Sequence, residues 1–215
     1  MTPNKEDYLK CIYELGEQFP KMSNKMIAEK MQVSPPAVSE MIKKMLSQEW
    51  ILKDKAKGYL LTDKGASLVA NLYRKHRLIE LFLITQLGYK SHEIHQEAEV
   101  LEHTVSDLFI DRLDKNLGYP EFCPHGGSIP RKDQPLIEQS TVTLNEIDQL
   151  GQYRLSRVHD DYQLLQYLDM HQLEINTIFT IEMIDPYAKT HTIAYLDKRL
   201  YIPENIARQL YVTKC

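Results

Sequence analysis

A chain of 215 residues, 43% apolar and 26% charged with a net charge of −4, has room for a core and for one to three domains, and its balance excludes a disordered tail or a fibre. No apolar run reaches the ~18–20 residues of a membrane span, and Met1–Asp7 has no apolar signal core, so a cytoplasmic protein without a membrane partner is expected. Three widely spaced cysteines, Cys11, Cys123 and Cys215, argue against a disulfide framework.

The first predicted element is an amphipathic helix over residues 5–18, with Tyr8, Leu9, Ile12, Tyr13 and Leu15 on its apolar side. Ser23 or Asn24 caps a second helix that runs to about Met31. Gln32-Val33-Ser34 makes a short turn, and Pro35-Pro36 opens a third helix. On that helix Val38, Met41, Ile42 and Met45 share one face, while Pro36, Glu40, Lys43 and Ser47 share the other. Two strands, residues 50–53 and 59–61, flank the lysine-rich loop Asp54–Gly58. Helix, turn, helix and hairpin make a winged helix-turn-helix. Residues 21–57 carry eight lysines against four acids, a local balance of +4 that suits phosphates. Lys43, Lys44, Lys53, Lys55 and Lys57 are the candidates for phosphate contact. Ser34, Pro36, Ala37, Ser39 and Glu40 are the candidates for the groove. Glu40 either accepts from a cytosine amine or offsets its lysine neighbours on a solvated face.

A long helix follows, capped by Thr62 and ending near Gly88, and another is predicted from about Ser91 to Asn116. Residues 63–125 hold seven basic and ten acidic residues, a balance of −3, the reverse of the preceding stretch. The glycine- and proline-bearing segment 127–140 reads as a linker. Beyond Thr141 the period shifts towards two. Strands are predicted at 153–158, 178–184, 192–196 and 200–202, with short helices near 162–171 and 203–209, as in a small SH3-like barrel. The fold class is therefore mainly α with a small β domain. The domains are 1–62 (winged helix), 63–126 (helical), 127–140 (linker) and 141–215 (barrel).

Histidines and carboxylates gather on the two long helices. His76 and Glu80 lie within ~40° of each other on a wheel, inside the stripe of Val69, Leu72, Ile79 and Leu83. A carboxylate on a core-facing stripe costs at least ~2 kcal/mol without a partner, so either an internal pair or a shared cation is needed. His95, Glu99, Glu102 and His103 fall within an arc of ~100°, next to an apolar stripe of Ile94, Ala98, Leu101, Val105 and Leu108. That arc is either a solvated polar face or a metal face. Cys123-Pro124-His125 adds a thiolate and an imidazole on a loop. Oxygen and imidazole donors with at most one sulfur suit Mn(II) or Fe(II), although Zn(II) binds tightly when supplied.

These residues, with Ser34-Pro35-Pro36-Ala37-Val38-Ser39 and Cys123-Pro124-His125-Gly126 in the same order, resemble the diphtheria-toxin-repressor and manganese-transport-regulator (DtxR/MntR) family, and within it the streptococcal manganese repressors. The resemblance spans nearly the whole chain and implies a winged helix, a metal-binding dimerisation domain and an SH3-like (FeoA-type) domain. Where the iron-dependent branch has a methionine and a cysteine, this chain has Asp7 and Glu99, harder donors that favour Mn(II). The resemblance implies two ions per subunit, with Fe(II), Zn(II) or Cd(II) as substitutes. One ion would use Asp7, His76, Glu99, Glu102 and His103; the other would use Glu80, Cys123, His125 and Asp160, or Asp161 in its place. His95 matches a ligand position of the iron branch. The implied function is a homodimeric, manganese-dependent repressor of metal-uptake genes that reads an inverted-repeat operator in double-stranded DNA. The alternatives are an iron-dependent repressor, a winged-helix regulator of some other signal, and a metallohydrolase.

Overall fold

A computed structural model describes residues 5–215, apart from the side chain of His92; residues 1–4, read above for a signal core, lie outside it. The chain divides into two compact units. One runs from the N-terminus to Arg74 and includes Pro130–Leu136; the other comprises Lys75–Ile129 and Ile137–Cys215.

In the first unit, α1 (Lys5–Gln18) buries Tyr8, Leu9, Ile12 and Leu15. Ser23, rather than Asn24, caps α2 (Asn24–Met31), its hydroxyl accepting from the Met26 N–H at 3.3 Å. Gln32 takes the left-handed conformation (φ 52°) that ends α2, and Ser34 caps α3 (Pro35–Ser47) by accepting from the Ala37 N–H at 3.4 Å. Val38, Ile42 and Met45 of α3 join Trp50 and Tyr59 in the core. β1 (Ile51–Asp54) and β2 (Gly58–Leu61) pair antiparallel, Ile51 opposite Leu61. Asp54 closes the hairpin tip by accepting from the Ala56 and Lys57 N–H groups at 2.8 and 2.7 Å. The winged helix-turn-helix anticipated from the sequence is the fold of this unit.

Thr62 accepts from the Gly65 N–H at 3.1 Å and starts α4 (Asp63–Leu87). The single helix expected over residues 91–116 is two: α5 (Ser91–Leu101) and α6 (Asp107–Asn116). Ser106 is the cause, because its hydroxyl accepts from the Phe109 N–H at 3.2 Å and begins a new helix. The break removes Leu108 from the buried stripe and leaves it 67% exposed, while Ile94 and Ala98 stay in the core with Leu78, Ile79 and Leu83.

Residues 127–140 form neither helix nor strand, but Gly127, Ser128 and Ile129 are buried. A short 3-10 turn (Leu144–Glu146) leads into β3 (Gly151–Val158), α7 (Tyr162–His171), β4 (Ile178–Asp185), β5 (Thr190–Tyr195), β6 (Lys198–Pro203), α8 (Glu204–Ala207) and β7 (Leu210–Lys214). The antiparallel sheet has the order β6-β5-β4-β3-β7. β7, absent from the sequence reading, pairs with β3 and completes the edge. Irregularities at Leu155/Arg157 and Ile181/Met183 bend the sheet around Leu155, Phe179, Ile181, Ile193 and Ile202. Among the described residues no helix is long and apolar enough to cross a membrane, and the three cysteines are free thiols.

Candidate metal centre

Every residue of α4 from Leu72 to Glu80 except Lys75 is buried. His76 and Glu80 are therefore held in the interior one helical turn apart, 1% and 0% exposed, with Nε2 of His76 3.2 Å from Oε1 of Glu80. Glu102 follows the last residue of α5, where the chain leaves the helix, and brings Oε2 to 2.5 Å from Nδ1 of His76. Asp160, between β3 and α7, brings Oδ2 to 2.7 Å from Nε2 of the same ring. His95, one turn into α5, lies with Nδ1 2.9 Å from Oδ1 of Asp160.

The Cys-Pro-His segment reaches this cluster through a tight turn. The Gly126 N–H donates to Cys123 O at 3.0 Å and the Cys123 N–H to Gly127 O at 2.9 Å, with Pro124 at the turn's second position. Gly126 has φ +79°, and a Cβ there would stand 2.1 Å from the Ser156 carbonyl oxygen, so glycine is required by conformation and by contact. The Val158 N–H donates to His125 O at 3.0 Å and pins the turn to β3. His125 Nδ1 thereby stands 3.3 Å from Oε1 of Glu80 and 3.5 Å from Oδ1 of Asp160.

Among the described residues of this unit, two groups of potential ligand atoms each have their members within 4.8 Å of one another: His76, Glu80, His95 and Asp160, and Glu80, Cys123 and His125. Glu80 belongs to both. Both of its carboxylate oxygens, with Nδ1 of His95, Nδ1 of His125 and Oδ1 of Asp160, are buried without a hydrogen bond. The 2.9–3.5 Å approaches among them are close but poorly aimed. Buried carboxylate oxygens and imidazole nitrogens that converge without bonding one another fit a divalent cation. Oxygen and nitrogen donors with one sulfur exclude a structural zinc cage of the paired-cysteine kind.

The electrostatics point the same way. Burial and the Asp160 charge push the Glu80 carboxyl up, yet His76 and His125 hold it below its usual value. Burial opposes ionisation of Asp160, and His125, His76 and His95 overcome it, leaving its carboxyl well below the usual range. Burial disfavours the His95 cation, but Asp160 and Glu99 raise its pKa to about 9. Burial likewise opposes charging of His125, and Glu80 and Asp160 raise it. The Cys123 thiol is pushed up to about 12 by burial and by Glu80. The carboxylates thus demand positive charge, which protons supply on the imidazoles.

The remaining predicted ligands stand as follows. Glu99 is exposed on α5, 3.4 Å from Nε2 of His95. His103 lies on the turn after α5, 3.3 Å from its neighbour Glu102. Asp7 belongs to the other unit, half-buried in the first turn of α1. Asp161 is engaged elsewhere, its carboxylate capping α7 by accepting from the Leu164 N–H at 2.9 Å. His76 contacts members of both expected ligand sets, so the two sets adjoin at one ring.

Of the predicted DNA-facing residues, Pro36, Ala37, Lys43, Lys53, Lys55 and Lys57 are exposed. Glu40 pairs with Lys44 at 2.7 Å, the charge-offsetting arrangement. The Ser34 hydroxyl is the α3 cap. Ser39 is half-buried, its hydroxyl donating to Pro35 O at 3.1 Å and accepting from Asn24 Nδ2 at 3.4 Å.

Comparison with known proteins agrees with this architecture. Residues 1–59 match the iron dependent repressor N-terminal DNA binding domain, residues 62–131 the iron dependent repressor metal binding and dimerisation domain, and residues 142–214 the FeoA domain. The HTH-type transcriptional regulator MntR of Bacillus subtilis (strain 168) is 34% identical over 147 residues, 67% of this chain and 99% of that protein. The chain belongs to the DtxR/MntR family of metal-dependent transcriptional repressors. Its members are regulators, not enzymes. Among solved structures, the metal-dependent transcriptional regulator MtsR superimposes with a TM-score of 0.93 at 72% identity, with both chains covered completely. ScaR with bound Zn2+ gives 0.95 at 52%, covering 99% of this chain and 100% of that one. The manganese regulator SloR gives 0.92 at 54%, with complete coverage of both.

Proposed function

We propose that this chain is a manganese-dependent repressor of metal-uptake genes, acting as a homodimer in the cytoplasm on an inverted-repeat operator. The observation that carries the reading is the convergence of buried, unbonded oxygens and nitrogens of Glu80, Asp160, His95 and His125 in a chain that also holds a winged helix-turn-helix. A bound divalent ion supplies, in place of protons, the positive charge that these carboxylates require. Two ions per subunit are proposed. Glu80, Cys123, His125 and Asp160 hold one, with His95 beside them. Asp7, His76, Glu102 and His103 hold the other, with Glu99 as a further donor. Hard oxygen and imidazole donors favour Mn(II), and Fe(II), Zn(II) or Cd(II) substitute.

Asp7 gives the signal its route to DNA. It stands on α1 of the DNA-reading unit, and its proposed partners belong to the other unit, so a shared ion favours one arrangement of the two. That differential affinity shifts the population towards the operator-binding form. Lys43, Lys44, Lys53, Lys55 and Lys57 meet phosphates, and Pro36 and Ala37 face the groove.

The test is operator binding by the purified chain with Mn(II), and after chelation, on DNA from upstream of metal-transporter genes. Specific binding that appears with Mn(II) and disappears with chelator is the expected result. Equal binding under both conditions would overturn the reading.

A further inference from the structure

Three chain segments carry the ligand candidates Glu80, His125 and Asp160, and each has a polar group tied to one side chain that no ligand set includes. Arg77, on α4 between His76 and Glu80, reaches Oε1 of Glu138 through Nη2 at 2.6 Å and the Ser128 carbonyl through Nη1 at 2.5 Å. Ser128, three residues past His125, donates its N–H to Oε2 of Glu138 at 3.0 Å. Arg157, three residues before Asp160, places Nη1 3.2 Å from Oε1 of Glu138. Its guanidinium also stacks on the Tyr211 ring at 3.6 Å and donates through Nε to the Ser140 carbonyl at 3.1 Å. The side chains of Glu138, Arg77 and Arg157 are 3%, 9% and 5% exposed. Gly127 completes the packing, since a Cβ there would stand 2.6 Å from the Arg77 guanidinium.

We propose that Glu138 is a positioning residue of the metal centre: one buried carboxylate that joins α4, the Cys123–His125 turn and the strand leading to Asp160, and so fixes the separation of Glu80, Cys123, His125 and Asp160 before an ion binds. Glu138 touches none of those ligands in the contacts above and acts through Arg77, Ser128 and Arg157. Without it the two buried guanidiniums lose the carboxylate they share, and the segments they belong to lose the charge that joins them. The residue lies in the irregular stretch between the helical part and the barrel, where periodicity offers no signal. The inference rests on the assignment of Cys123 and His125 as ligands and adds what holds them in place.

The test uses Co(II) with the full chain, because a cobalt–thiolate charge-transfer band reports Cys123 directly. In the wild type the band appears on titration. In Glu138→Gln the midpoint is expected to rise roughly 10-fold or more, the usual scale for removal of a partner behind the ligands, and the saturated band to change shape. Glu138→Asp, which keeps the charge, should recover part of the loss. A Glu138 that served stability alone would lower the melting temperature of the apo chain but leave midpoint and band unchanged, which would overturn the proposal. If Glu138→Gln does not fold, Arg157→Gln leaves the Arg77–Glu138 pair intact and should shift the midpoint the same way by less; an unchanged midpoint there overturns it too. A wild-type chain without the band would instead remove the ligand role of Cys123, a separable failure.

Discussion

His76 Nε2 stands 2.7 Å from Oδ2 of Asp160, a residue 84 positions away in the chain. The barrel segment therefore supplies a carboxylate to the interior of the helical segment. The next residue, Asp161, caps α7 instead. Two adjacent aspartates with different roles give a discriminating pair. Asp160→Asn should lower Mn(II) affinity by roughly 10–100-fold or more, since even partners behind ligands cost that much. Asp161→Ala should lose about 1 kcal/mol of stability, as helix caps do, and keep its metal binding. Calorimetric titration and thermal melting of both variants check this, and equal metal binding by the two would sink the assignment of Asp160.

Proton release should accompany metal binding. The Cys123 thiol, held up at about 12, is protonated at neutral pH, as is His95 at about 9, and Glu80 and Asp160 raise His125 as well. For His95 the folded value of about 9 exceeds the unfolded value of about 6.5. Its protonation thus stabilises the apo fold fully below about 6.5, and that stabilisation is lost as pH rises through about 9. A metal competes with those protons, so apparent Mn(II) affinity should climb as pH rises towards about 9, where His95 gives up its proton. Titration in buffers of different ionisation enthalpy measures the protons displaced; a pH-independent affinity would contradict the ligand set.

The wing should depend on a hydrogen bond behind it. The Tyr59 hydroxyl donates to Asn24 Oδ1 at 2.8 Å, and Asn24 Nδ2 donates to Ser39 Oγ, linking β2, α2 and α3. Tyr59→Phe should cost about 1 kcal/mol of stability and weaken operator binding by misplacing the wing. Lys55→Ala, exposed at the tip, should leave stability within about 0.5 kcal/mol and lessen the salt dependence of DNA binding by about one ion. Melting curves and anisotropy titrations at several salt concentrations separate the two effects.

Acid should reach Glu138 only after it has protonated exposed carboxylates. Burial raises its pKa, but Arg77, Arg157 and the Ser128 N–H together hold it below the usual value. A folded value under the unfolded one of about 4.3 means that its contribution is whole above about pH 4.3 and is lost as pH falls through the depressed value. Glu138→Gln should therefore flatten the acid limb of the apo stability curve. Denaturant midpoints measured from neutral pH downward test this, and parallel curves for variant and wild type would refute it.

The sequence disclosed what is local. The caps at Ser23 and Thr62 and the alternation of Tyr153, Leu155, Phe179 and Ile181 were readable because each follows from near neighbours and period. The buried pair His76 and Glu80 was legible for the same reason, lying where a helix wheel is apolar. The break at Ser106 was not, since a serine inside an amphipathic pattern either caps or is tolerated, and the Phe109 N–H decides which. The approach of Asp160 to His95 and His76 depends on tertiary folding across the barrel, and only resemblance brought Asp160 forward. Glu138 gave no signal at all, because its importance comes from two arginines distant in sequence.

The seam between the Cys123–Gly126 turn and β3 has a further consequence. The Ser156 carbonyl lies where a side chain on Gly126 would be, and the Val158 amide is bonded to His125. A chain cut at residue 140 would not be the same regulator with an ornament removed. It would lack one wall of the proposed ion pocket together with Asp160, a carboxylate on which its metal affinity is expected to depend.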